Sequence, residues 1–277
     1  MYLYIGIYYR LLKNKLVYKY VINTLYGHSY FSIRVTEEVS DMSHFVLLGL
    51  GAGLCTVLGA GLLMLKKKWD SQSLALFLGL AAGVMTAIVV LDMLPAAVAV
   101  SGFTMAISGN AAGMLGMYLQ LKLWGSGAAA KADMRRLGYL IMLGIAWHDL
   151  PEGAVIALAG SYHEQAGWLI AFGLGVHNAP EGMAIAAPLI MAGVSKVKIL
   201  AQVTLLSLIT PLGTFIGQQA ITYLPDLMGP LMGFASGIMI YIVIGQLLPQ
   251  SFFHDKRCAV YGIISGWLLI VFASRMV

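Results

Sequence analysis

What most constrains this chain is a succession of long apolar runs separated by short polar loops. Eight runs, roughly 44–65, 74–94, 102–121, 138–160, 166–190, 199–221, 229–249 and 259–275, each approach the ~20 residues that a helix needs to cross a hydrocarbon core about 30 Å thick. In lipid the backbone has no water to bond, so such runs must close their hydrogen bonds internally as helices. The expected fold class is therefore an all-α integral membrane protein with eight transmembrane helices. Composition agrees: of 277 residues 60% are hydrophobic and 10% charged, with a mean hydropathy of +0.84, which excludes an ordinary soluble domain. Cys55 and Cys258 fall in or beside different runs and form no CxxC unit, so both read as packing residues rather than a disulfide framework.

Charge gives an orientation. If the first span runs from outside to inside, the inner loops carry Lys66, Lys67, Lys68, Lys122, Lys131, Arg135, Arg136, Lys196, Lys198, Lys256 and Arg257, whereas the outer side from that span onward carries only Arg275. Short cytoplasmic loops concentrate Lys and Arg, so both ends of the eight-span unit are expected outside. The net charge of +5 is then a topological signal; the expected partner is the lipid bilayer and not nucleic acid. Residues 1–41 do not fit this scheme. They hold Arg10, Lys13, Lys15, Lys19 and Arg34, many tyrosines, no run long enough to span and no small-residue cleavage site of a signal peptide. They form an N-terminal extension, either peripheral or produced by a start codon set too early, with Met42 a natural start; the eight-span domain is 42–277.

An internal similarity organises the spans. GLAAGVMTAIVVLDMLP, Gly79 to Pro95, aligns without gaps with GFASGIMIYIVIGQLLP, Gly233 to Pro249. Gly79 pairs with Gly233, Ala81 with Ala235, Gly83 with Gly237, Met85 with Met239 and the final Leu-Pro with its counterpart. These are the second and seventh spans, which run in opposite directions under the orientation above. Helices 1–3 and 6–8 are thus expected to be inverted repeats flanking helices 4 and 5, a 3+2+3 arrangement. The four glycines are expected to let helices approach closely.

The fourth and fifth spans carry a six-residue pattern twice, HDLPEG at His148 to Gly153 and HNAPEG at His177 to Gly182. Each copy sets a histidine and a glutamate four residues apart, which puts both on one helix face about one turn apart. No Lys or Arg lies in either segment, so Asp149, Glu152 and Glu181 must be neutralised by a metal ion or by protons. Imidazole and carboxylate from two helices, His148, Glu152, His177 and Glu181, suit Zn²⁺, Fe²⁺ or Mn²⁺, and the lack of thiolate disfavours copper(I). Pro151 and Pro180 free the carbonyls of Trp147 and Val176 and kink both helices beside the cluster.

These paired motifs in the fourth and fifth of eight spans resemble the ZIP family of divalent-metal transporters, the zinc-iron permeases, over nearly everything from Met42 onward. The resemblance implies a mid-membrane site in which His148, Glu152, His177 and Glu181 hold one metal position. Asp149 and Asn178, with the same two glutamates, would hold a second. It also implies that Met85 can add a thioether ligand, although a packing role for this methionine is as well founded. Asp92, at the outer end of the second span one turn before Pro95, is expected to receive a cation, and its repeat counterpart Gln246 to line the exit. The chain departs from the family at Thr210, where TPLG stands in place of a glutamate before Pro-Leu-Gly; a hydroxyl is a weaker ligand, which puts the second position in question. The 122–137 loop has no histidine, so a His-rich sensor loop is not expected.

The implied function is import of divalent transition-metal ions, Zn²⁺ foremost and Fe²⁺ or Mn²⁺ next, by a multi-pass protein of a prokaryotic plasma membrane. The metal is cargo and no organic cofactor is expected. A homodimer is compatible with such a chain. The competing reading is an intramembrane hydrolase using the same His/Glu cluster to activate water, but the chain lacks HExxH. A metal-responsive receptor has no appended signalling domain to support it.

Overall fold

The computed structural model describes residues 43–66, 69–123, 133–162, 164–221 and 227–276; the expectations for residues 1–41 and for Lys67, Lys68 and Lys131 lie outside them. Among the described residues there is no strand. In chain order the helices are α1 (Ser43–Met64), α2 (Ser71–Ile88), a π-helical turn (Val89–Met93), α3 (Leu94–Leu123), α4 (Met134–Tyr162), α5 (Glu164–Met191), α6 (Lys196–Ser207), α7 (Ile209–Ile221), α8 (Met228–Ile242), a second π-helical turn (Val243–Leu247), α9 (Leu248–His254) and α10 (Lys256–Met276). Among the described residues six helical stretches are long and apolar enough to cross a membrane: His44–Met64, Ser71–Leu123, Met134–Ser161, Lys196–Gln219, Gly229–His254 and Lys256–Ala273. Large apolar side chains such as Leu58, Phe103, Leu205 and Phe272 are exposed on them, and Phe172 on α5. Such a surface is stable only against lipid, so the protein is an all-α, multi-pass membrane protein.

Packing concentrates on four pairs of helices. α3 lies along α8, α2 along α10, α1 along α5, and α4 along α7, while α4 and α5 also pack on each other. Lipid supplies no hydrophobic drive for helix association, so close contact needs small residues where backbones meet. A Cβ built on Gly79 or Gly83 would fall on the carbonyl of Ala259 or Ile263 in α10, and one on Gly262 or Gly266 would fall on Leu76 or Leu80 in α2. The α3–α8 pair repeats the device: Gly109 and Gly113 abut the carbonyls of Pro230 and Phe234, and Gly233 and Gly237 those of Ala106 and Asn110. The sequence exposes one glycine pair of each contact through the internal repeat. The partner pairs on α3 and α10 emerge only from the packing.

The two π-helical turns fall at the same place in the aligned segments, ten residues after Gly79 and ten after Gly233. In each, an N–H reaches back five residues: that of Leu94 to the Val89 carbonyl and that of Leu248 to the Val243 carbonyl. Each is followed by a leucine and then a proline, Leu94-Pro95 or Leu248-Pro249. The widened turn shifts the hydrogen-bond register just ahead of the ring and gives it room, so the helix passes through the proline instead of ending there. This corrects the expectation that Leu-Pro terminates the second and seventh spans. The helical path after Asp92 continues to Gly102, where φ 79 and ψ 164 break it, and the one after Gln246 continues to His254. Asp92 and Gln246 are accordingly buried, 5% and 4% exposed, and not at helix ends.

Short polar contacts fix the loop ends. Asp70 caps α2 by accepting the amide of Ser73 at 2.8 Å, and hydrogen bonding from the Ser73 side chain, then from its amide, holds the Asp70 carboxyl below the ordinary range. Asp255 likewise accepts the amide of Cys258 at the start of α10. The Lys196 Nζ donates to the carbonyl of Met64 at 2.6 Å, so the end of α1 and the start of α6 share one end of the molecule.

Steric contrast among the glycines is testable. Gly83→Val places methyl groups on the α10 backbone and is expected to destabilise by about 1–3 kcal/mol. Gly61→Val, where nothing lies within 4 Å of the new Cβ, is expected to leave stability unchanged. Thermal unfolding of both detergent-purified variants, followed by size-exclusion recovery, gives the comparison.

Candidate metal centre

The two motif copies lie near the midpoints of α4 and α5. A proline inside each helix, Pro151 and Pro180, removes a backbone donor there. The glycine ending each motif sets the helix against a neighbour. A Cβ on Gly153 would meet the Thr210 carbonyl of α7, and one on Gly182 would meet the Thr56 carbonyl of α1. Reciprocally, Gly213 abuts the carbonyl of Leu150, and Gly59 that of Ala179. The motif pair is thus enclosed by α1 on one side and α7 on the other.

The histidines and glutamates cross between helices. His148 Nε2 lies 3.0 Å from Glu181 Oε1, and His177 Nε2 lies 3.0 Å from Glu152 Oε2. Each histidine therefore meets the other copy's glutamate, although spacing suggests pairing within a copy. His148 Nε2 is also 3.6 Å from Asp149 Oδ1. All of these groups are buried, with Glu181 and Asp149 fully inaccessible and His177 the most exposed at 4%. His148, Asp149 and Glu181 each offer an atom within 4.8 Å of the others, the separation a shared metal ion requires.

The donor set is short of positive charge. His148 Nδ1 faces the carbonyl of Gly144 at 3.2 Å, and a carbonyl can only accept, so that nitrogen carries the proton. In the neutral ring Nε2 is then an acceptor facing a carboxylate oxygen, and two acceptors 3.0 Å apart need a proton or a cation between them. Asp149 has no hydrogen-bond partner on either oxygen, and neither has Glu152 Oε1 nor Glu181 Oε2. Three carboxylates in an apolar interior, partnered among the described residues only by histidines, are a donor set whose chemistry suits a divalent cation with N/O preference. Asn178 differs from its counterpart Asp149: its Nδ2 donates to the Ala52 carbonyl at 3.0 Å, which ties α5 to α1, while its Oδ1 has no hydrogen-bond partner.

The remaining sequence candidates take no part in these contacts. Met85 is 1% exposed within the main apolar cluster, among Ile145, Ile238 and Met239. Asp92 and Gln246 lie in the π-helical turns. Thr210 is buried at the start of α7 with its Oγ1 lacking a hydrogen-bond partner. The helix breaks at Leu208 just before it, because Pro211 withholds the N–H that the Ser207 carbonyl would take. Sequence reasoning passed over Thr56, which holds the same position against α5 that Thr210 holds against α4. The signal was present: Thr56-Val-Leu-Gly59 and Thr210-Pro-Leu-Gly213 stand at the same offset as Gly79 and Gly233.

Comparison with known proteins agrees with this geometry. Residues 125–274, which include both motif copies, match the family model described as ZIP Zinc transporter. The zinc transporter ZupT of Chlorobium luteolum is 31% identical over 254 residues, covering 82% of this chain and 96% of that protein. ZupT of Escherichia fergusonii is 31% identical over 240 residues, with coverage of 81% and 93%, and ZupT of Streptococcus mutans serotype c is 29% identical over 249 residues, with coverage of 82% and 94%. With a buried His/Glu/Asp cluster on two proline-containing helices and this similarity along most of its length, the chain belongs to the ZIP zinc-transporter family.

Proposed function

We propose that the chain transports divalent transition-metal ions, Zn²⁺ foremost and Fe²⁺ or Mn²⁺ next, through the cluster formed by His148, Asp149, Glu152, His177 and Glu181, with Asn178 beside it. The observation that carries the reading is the pair of crossed His–Glu contacts buried without a Lys or Arg. A permanent structural role would leave those carboxylates costly and uncompensated; an exchangeable cation compensates them while bound and a proton when it leaves. Relatives named as zinc transporters favour transport over hydrolysis by the same cluster.

The finer architecture belongs to the same proposal. A helical path of 53 residues would be about 80 Å long, more than twice the ~30 Å core, so it is best read as two passes divided at Gly102. α5 falls outside the most apolar stretches because it carries His177, Asn178 and Glu181, and it is long enough to span. Eight passes in a 3+2+3 order result. The packing pairs support inverted repeats: α3 on α8 is the counterpart of α10 on α2, and α1 on α5 that of α7 on α4. Alternating access would move one bundle against the other around the motif helices. With the cation-rich loops inside, both ends face outward in a prokaryotic plasma membrane and transport runs toward the cytoplasm, Asp92 lining the outer half of the path and Gln246 the inner half. Met85 can join the site only by turning its sulfur out of the apolar cluster.

Zinc uptake into proteoliposomes by the purified protein tests the function. Glu152→Ala and Glu181→Ala each remove a ligand and leave a histidine facing an unbalanced site, so uptake is expected to fall at least about tenfold. Wild-type rates in both variants, reconstituted to equal density, would defeat the assignment.

Protons compete with the metal for the same lone pairs. Histidine ligates only when neutral, with a reference pKa of about 6.5, so metal affinity is expected to fall as pH is lowered from 7 toward 5. A zinc titration at several pH values reads this directly, and a flat profile counts against histidine ligation.

Thr210 offers a hydroxyl where a carboxylate would hold a second ion. Thr210→Glu is expected to raise the stoichiometry from one tight zinc to two while leaving turnover unchanged or lower, because an ion in a deeper well leaves more slowly. Calorimetry before and after the substitution decides; two tight sites in the wild type would remove the significance given to Thr210.

A further inference from the structure

Buried hydroxyls in this protein's helices commonly return a hydrogen bond to the preceding turn. Thr86 Oγ1 donates to the Ala82 carbonyl at 2.7 Å, Thr214 Oγ1 to that of Thr210 at 3.0 Å, and Ser236 Oγ to that of Gly233 at 2.7 Å. Thr56 and Thr210 depart from the pattern. They are 0% and 1% exposed, and among the described residues neither Oγ1 has a hydrogen-bond partner. A buried hydroxyl without a partner is costly, and its persistence calls for an ion or water that satisfies it.

Position gives these two hydroxyls a common purpose. The Thr56 carbonyl abuts Gly182, the residue after Glu181, and the Thr210 carbonyl abuts Gly153, the residue after Glu152. The backbones of the two threonines therefore meet the motif helices one residue after each glutamate, and among the described residues Glu152 and Glu181 each keep one oxygen without a hydrogen bond. The Thr210 hydroxyl faces the α1 contact, since a Cβ built on Gly53 would lie 3.4 Å from its Oγ1, and Gly53 is one turn before Thr56. Two hydroxyls and two carboxylate oxygens, none hydrogen-bonded, thus belong to one junction of α1, α4, α5 and α7.

We propose that Thr56 is a further ion-contacting residue, whose hydroxyl, matched by that of Thr210, supports a divalent cation or a water ligand that the cation carries. The inference rests on the metal site proposed above and adds α1 to the helices that build it. Thr56 can accept from a cation-bound water and donate to a carboxylate, which lets the site hold a partly hydrated ion without a further charge.

The test is zinc titration of the full-length protein in detergent, with thermal unfolding in the absence and presence of zinc. Thr56→Val keeps the shape and removes the hydroxyl; zinc affinity is expected to drop about five- to tenfold, the effect of one hydrogen bond to a charged partner. Thr56→Ser is expected to restore affinity to within about twofold. Without zinc, Thr56→Val should unfold at or above the wild-type temperature, because an unpartnered hydroxyl is being removed. A purely structural threonine would instead change the zinc-free unfolding and leave affinity alone. Thr56→Ala provides the same reading should the valine variant fail to fold. Wild-type affinity in Thr56→Val, alongside loss of binding in Glu152→Ala, overturns the role of Thr56 and leaves the metal site standing. Unaltered binding in Glu152→Ala as well overturns both.

Discussion

The costliest feature of this fold is the burial of Asp149, Glu152 and Glu181 among apolar helices, where two histidines are their only ion-pairing partners among the described residues. An ionised carboxylate in a low-dielectric interior costs several kcal/mol unless it is compensated. Much of the surrounding architecture can be understood as what holds these groups in register while leaving their charge to a cation or proton. The crossed contacts place each histidine against the opposite helix's glutamate, so α4 and α5 are coupled through the site itself. Separating them would strand two acids and two bases at once.

Close backbone contact is what lets so many polar groups converge. The motif glycines, Gly153 and Gly182, admit the carbonyls of Thr210 and Thr56, and the proline one turn into each motif frees a carbonyl in the same region. The outer pairs, α2 with α10 and α3 with α8, use glycines at four-residue spacing for the same purpose. Contacts of this kind are specific and shape-dependent: small residues let backbones meet, and lipid-facing leucines and phenylalanines contribute little to which helix pairs with which.

Much of this was legible in the sequence, for identifiable reasons. A polar residue inside an apolar run is expensive enough that its presence is informative, so His148, Glu152, His177 and Glu181 stand out without a structure. The limits were equally physical. Leu-Pro before a turn ordinarily ends a helix, and nothing local announces that a π-helical turn at Val89–Met93 will carry the chain past Pro95; Asp92, expected in the ion path near the outer end of its span, lies buried inside a longer helical path. The glycines of α3 and α10 were invisible because close approach is a property of two helices, not one. Thr56 was passed over because threonine in a membrane helix usually bonds its own preceding turn, and only the structure reveals that this one does not.

The halves of the centre are alike in geometry and unlike in chemistry. Asn178 can donate, and its amide holds the Ala52 carbonyl; an ionised Asp149 has no proton to give, and neither of its oxygens has a hydrogen-bond partner. The α5 half is thereby fastened to α1, whereas the α4 half keeps an anionic group for the cation. The flanking helices differ in the same sense: α1 runs unbroken past Thr56, but Pro211 interrupts the path into α7 at Leu208. A pseudo-symmetric pair with identical halves would bind its ion equally from either side. The extra carboxylate, Asp149, and the helix break before Thr210 both fall on the α4–α7 side, so under the transport reading proposed above the two halves would differ in their attraction for a cation.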